Sequence, residues 1–162
     1  MTTRSDPFTA GADFIRREAR VLEQRLFATI FEGAPPEGVV AALGAYRNPD
    51  GGFGHGLEPD KLCPDSQPLD VEVALTAMLE AGTVDHGMAT GACDFLTSLA
   101  RDGAVPLATP AIEAHPRAEH WEDWAYRPGI NPTAGLAGRL HALGVTHPWR
   151  DQATAWCWTA LD

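Results

Sequence analysis

"NPDGGFGHGLEPD", residues 48–60, gathers two prolines, an Asp-Gly step, a phenylalanine and four glycines into thirteen positions. Three architectures use such a stretch: a phosphate cradle, a hairpin turn, or a joint between repeated units. A phosphate loop follows a strand and carries Lys-Ser/Thr behind its glycines, and residues 48–60 have neither. A hairpin needs alternating strands on both sides. What flanks the stretch therefore decides the fold.

The flanks are helical. Upstream, Ile15, Ala19, Leu22, Leu26 and Ile30 recur at spacings of three and four, the stripe of an amphipathic helix. This predicts a helix over 13–31, capped by Thr9 or Asp13 and stopped by Gly33 before Pro35-Pro36. Val39, Val40, Leu43 and Tyr46 predict a second helix over 36–46. Downstream, the same periodicity predicts helices over 68–81 (capped by Ser66), 88–100, 131–143 (capped by Asn131) and 151–162. Between 100 and 131 repeated prolines and glycines forbid one continuous helix. No segment alternates with period two, so the fold class is all-α.

The helices repeat. Gly144 lies 62 positions after Gly82, and at that offset "MATGACDFLTSLA" falls on the final helix, with Leu96 on Trp158 and Leu99 on Leu161. Asp102-Gly103 follows Asp50-Gly51 by 52 positions. The unit is a helix, an Asp-Gly turn, an irregular loop, a second helix and a short link. The opening stretch is then a repeat joint: Asp-Gly supplies a positive-φ corner, and Phe53 plugs the seam between helices.

With its helix in front, "LGAYRNPDGGFG" (43–54) resembles the repeat motif of the prenyltransferase and squalene-cyclase superfamily. In that family a helix ends in a Gln/Asn-x-Asp-Gly-(Gly/Ser)-(Phe/Trp)-Gly turn, and the units close into an α/α toroid. "RDGAVPL" is a degenerate copy, with Val105 or Leu107 where the aromatic belongs. The resemblance implies a single domain over 1–162: three helix pairs, or half of a ring. Two alternatives stay open, a piece of a longer chain or a ring completed by a second chain through dimerisation or helix exchange.

Composition narrows the function. A net charge of −10, with twelve basic against twenty-two acidic residues, repels a phosphate backbone, so no nucleic-acid partner is expected. No apolar run reaches the eighteen residues of a membrane span. The N-terminus lacks the apolar core of a signal peptide, and Cys63, Cys93 and Cys157 are too few and too scattered for a disulfide framework. The cytoplasm is the expected compartment.

In the resembled family the reactive cavity lies near the N-terminal ends of the inner helices. Carried over, this rim holds Glu58, Asp60, Cys63, Asp65, Gln67 and Asp70 before one inner helix, and His120, Trp121, Trp124, Tyr126 and Asn131 before the next. The resemblance implies an isoprenoid-type transferase or cyclase. Asp60, Asp70 and His120 would be the catalytic candidates; Phe53, Glu58, Gln67, Trp121, Trp124, Tyr126 and Asn131 would bind ligand. Acids beside aromatics suit a neutral or cationic hydrophobic molecule. The alternative is a binding or scaffolding toroid without chemistry. No cofactor is expected: Asp60, Cys63 and His120 match a zinc set of the family in residue type, but Asp-x-x-Cys departs from the family's Asp-x-Cys. The Asp-x-Asp-Asp acid motif of squalene-type cyclases is missing, with Asp70 standing alone.

Overall fold

The computed structural model describes residues 6–161. Seven α-helices follow in order: α1 (Pro7–Glu18), α2 (Val21–Glu32), α3 (Glu37–Leu43), α4 (Pro68–Glu80), α5 (His86–Leu99), α6 (Ile130–Ala142) and α7 (Pro148–Leu161). Short 3-10 turns occupy Gly44–Tyr46, Pro110–Ala114 and Glu119–Trp121. Among the described residues β-structure amounts to four isolated bridges, so the chain is all-α. No described helix is long and apolar enough to cross a membrane.

The predicted helix over 13–31 is two helices. Ala19 and Arg20 are extended, at ψ 158 and 160, although the apolar stripe runs through them. Tertiary bonding holds the break open: the Arg20 guanidinium donates to the carbonyls of Gly56 and Leu57 at 2.9 and 3.0 Å and pairs with Glu23. The first helix also starts earlier than predicted, at Pro7, where Asp6 rather than Thr9 or Asp13 caps it by accepting from the Thr9 N–H. Six helices in three pairs thus become seven. Asp85 caps α5 through the Met88 N–H at 2.8 Å. Ser66 does not cap α4; its hydroxyl donates to Asp50 at 2.7 Å. Asn131 is non-helical ahead of Pro132, which opens the regular part of α6. Asp162, predicted to end the last helix, lies outside the described residues.

Helix α4 is central, packing on α2, α3, α5 and α6, while α6 packs on α7 and α7 on α5. Val71, Ala74, Leu75 and Met78 from α4 meet Leu136 and Leu140 from α6, Leu96 from α5 and Trp149 from α7 in one core. Phe53 stands in that core with no exposed surface. The residue-48 turn is a closed corner: Gly51 N–H donates to Asn48 O, Gly52 N–H to the Asp50 carboxylate, and Gly54 N–H to Tyr46 O.

The two Asp-Gly turns behave alike. Gly51 has φ +87, and a Cβ there would lie 2.5 Å from the Gly91 carbonyl on α5. Gly103 has φ +96, with a Cβ 2.8 Å from the Gln152 carbonyl on α7. Each turn presses bare backbone onto the backbone of a following helix, which only glycine permits. Each loop then ties to the start of the helix that follows it: Gln67 N–H donates to Phe53 O, and Gly129 N–H to Val105 O.

Candidate metal centre

The two irregular loops, 47–67 and 101–129, lie against each other. Leu62 N–H donates to Pro116 O and Ala118 N–H to Asp60 O, both at 2.8 Å. Gln67, fully buried, reaches across: its carbonyl oxygen accepts from the Thr109 N–H at 2.8 Å. Arg117 gathers the second loop by donating to the carbonyls of Ile112, Glu113 and His115. Beneath the seam a second apolar cluster joins Cys63, Ala108, Ile112 and Trp121. Interlocked backbone, two short 3-10 turns and a small apolar core hold these loops.

This seam brings together Cys63, Asp65 and His115, whose ligating atoms lie within 4.8 Å of one another. The sulfur is buried, the carboxylate exposed and the imidazole half-buried. Zinc bonds of about 2.0–2.3 Å at tetrahedral angles place ligand atoms about 3.4–3.6 Å apart. Closing the trio from 4.8 Å onto an ion therefore needs approaches of up to about 1.4 Å, which the exposed Asp65 side chain can supply in part. The residue types fit a zinc-class cation, and three protein donors leave a fourth position open. The Gln67 amide donates to the Cys63 sulfur at 3.6 Å, orienting the ligand from outside the trio. Burial pushes the Cys63 thiol up, against the pull of the Asp65 backbone N–H and the Gln67 amide. A bound cation would offset that burial by holding the thiolate.

The sequence-predicted residues scatter around this centre. Asp70 is buried beside Lys61, which is also buried, and accepts from the Glu58 N–H at 3.0 Å. Burial pushes the Asp70 carboxyl up, against the pull of Lys61. Glu58 is the second anion on Lys61, at 3.3 Å. These three charges pin the loop to α4. Phe53, Gln67 and Trp121 are likewise buried, with the Trp121 indole N–H unpartnered. Asp60 and His120 do meet, 3.7 Å apart, but on open surface. Trp121 and Trp124 contact edge to face at 5.0 Å. Burial pushes the Tyr126 hydroxyl up, with its bond to Glu113 acting the same way. Asn131 is exposed. Asp60, Cys63 and His120, alike in residue type to a zinc set, are not grouped as three donors among the described residues; the group of three is Cys63, Asp65 and His115.

His115 was missed, yet a signal for it was present. It follows Cys63 by 52 positions, the same step that separates the two Asp-Gly turns. A cleft of about 490 Å³ opens beside the centre, sharing Asp65 and lined also by Asn48, Asp50, Ser66, Phe95 and Thr109. Comparison with known family models, curated proteins and solved structures found no match to the chain.

Proposed function

We propose that this chain is a helical repeat protein that binds a zinc-class divalent cation through Cys63, Asp65 and His115. The cation would present its open position toward the neighbouring cleft. The observation that carries this reading is the convergence of a buried thiol, a carboxylate and an imidazole within 4.8 Å on two cross-bonded loops. In residue type the set matches the Asp, Cys and His implied by resemblance to zinc-dependent prenyltransferases, at different positions. The cleft pairs the acids Asp50 and Asp65 with the apolar faces of Phe95 and Leu99, suiting a neutral or cationic small organic molecule that also ligates the metal.

A binding role is favoured over isoprenoid cyclisation. An aromatic cavity wall needs its rings exposed to ligand, and Phe53 and Trp121 spend theirs on the two cores. The test is cobalt(II) titration of the purified chain, followed by optical absorption. One equivalent should bind with tetrahedral d–d bands and a thiolate charge-transfer band. Cys63→Ser should abolish the charge-transfer band, and His115→Ala should weaken binding by at least tenfold. Stoichiometric binding with the thiolate band intact in Cys63→Ser would sink the assignment; so would no binding at all.

A further inference from the structure

We infer that a cation at Cys63, Asp65 and His115 is the clasp of a seam that opens separately from the helices. With the ion bound, the loops 47–67 and 101–129 are locked together; without it they part while the helical core stays folded. This rests on the metal reading above and adds what the ion does there. The ground is the register of the two loops. Lys61 and Arg117 form an antiparallel bridge. The bonds from Leu62 N–H to Pro116 O and from Ala118 N–H to Asp60 O keep the same register on either side of it. Two positions on from Lys61 and two back from Arg117, that register sets Cys63 opposite His115, on the face of the bridge itself. Burial alternates accordingly: Lys61 and Cys63 are buried, with Leu62 between them exposed. The thiol and the imidazole thus come from different loops and meet only across a closed seam.

Closure is weakly driven by the protein's own groups. The apolar cluster of Cys63, Ala108, Ile112 and Trp121 is separate from the helical core, and so small a core buries little area against the entropy of ordering two loops. Closure also strands donors: the Trp121 indole N–H and the Arg117 Nε–H are buried without a partner, each a desolvation penalty that opening relieves. The Lys61 ammonium is held by Glu58 of its own loop and Asp70 of α4, so it ties the first loop to the helices and not to the second loop. Across the seam itself run the two backbone bonds and those between Gln67 and Thr109. A segment built this way opens at lower free energy than the core, and an ion that all three donors hold only when it is closed opposes that opening by mass action.

The cleft is coupled to the same closure. It takes Asn48, Asp50, Asp65 and Ser66 from the first loop and Thr109 from the second. Its walls stand together only while the seam is shut, so the ion also governs whether the cleft is formed. Two donors lie on one loop and one on the other, which makes His115 the residue that turns a binding site into a clasp.

The experiment is amide hydrogen exchange on the full chain, metal-free and with zinc(II) at about one hundred times the Kd found by competition with cobalt(II). In the metal-free chain, the Leu62 and Ala118 amides should exchange at least about tenfold faster than those of Leu75 and Leu140, which lie within α4 and α6 in the helical core. Zinc should slow Leu62 and Ala118 about 100-fold, because only the closed seam offers all three donors. In His115→Ala the remaining donors share one loop. Zinc at the same multiple of that variant's own Kd should leave its Ala118 rate unchanged. Metal-free seam amides as slow as the core would overturn the proposal, since the loops would then part only on global unfolding. So would a slowing that persists in His115→Ala. Zinc that binds the wild-type chain without slowing Leu62 and Ala118 would remove the clasp and leave the metal centre standing, whereas a chain that binds neither ion would lose both.

Discussion

Lys61→Met tests whether the charged pin under the 47–67 loop is a structural element. Lys61 and Asp70 are each 1% exposed and in direct contact, with Glu58 the second anion on the ammonium at 3.3 Å. Methionine keeps most of the lysine's volume and removes its charge, leaving the Asp70 carboxyl buried without its cation. Breaking a buried pair from one side costs about 3–5 kcal/mol. In a domain of this size each kcal/mol moves the midpoint by about 2–4 °C, so Tm should fall by about 6–20 °C. The double variant Lys61→Met/Asp70→Leu removes both charges. It sacrifices the Glu58 N–H bond to Asp70, worth about 1 kcal/mol. Glu58 keeps 14% of its side chain exposed and can turn outward, so the double variant should sit within about 1–2 kcal/mol of wild type. Urea unfolding of wild type, both single variants and the double variant gives the coupling directly. A Lys61→Met cost below about 1 kcal/mol, or a double variant as unstable as the two singles summed, would refute a desolvated pair.

Gly54→Ala should destabilise by about 1–3 kcal/mol, because its Cβ would meet the carbonyls of Pro64 and Asp65 at 2.4 and 2.5 Å. As Asp65 is a proposed ligand, cobalt affinity should fall as well; a stable variant with unchanged affinity would disconnect the corner from the centre. Cys93, with no exposed surface, has its thiol pushed up to about 12 by burial, with Asp94 acting the same way. Alkylation at pH 8 should therefore follow global unfolding, and rapid labelling of the native chain would contradict this placement. Burial pushes the Glu72 carboxyl up, against the pull of Arg139. A folded pKa above the unfolded one binds its proton more tightly in the folded state. That contribution is complete below the unfolded value of about 4.3 and is lost as pH rises through the folded value. The stability gap between wild type and Glu72→Gln should accordingly shift against wild type across that window; a gap that moves the other way in denaturant melts would show that Arg139 outweighs burial.

The all-α class was legible because apolar residues at spacings of three and four need no partner to declare a helix. Local chemistry also announced the corner: Gly51 holds φ +87, as an Asp-Gly step between helices requires. The break at Ala19-Arg20 was not legible, since the residues that hold it open, Gly56 and Leu57, lie more than thirty positions away. The fate of the rim acids was likewise a tertiary matter. Asp60, Asp65 and Asp70 are alike as residues, yet Asp70 is buried on Lys61, Asp60 meets His120 on the surface and Asp65 joins Cys63 and His115. A carboxylate's role depends on which cation or donor the fold sets beside it and how much water remains. Residue spacing reports neither, so the environment of each carboxylate is decided by the tertiary structure.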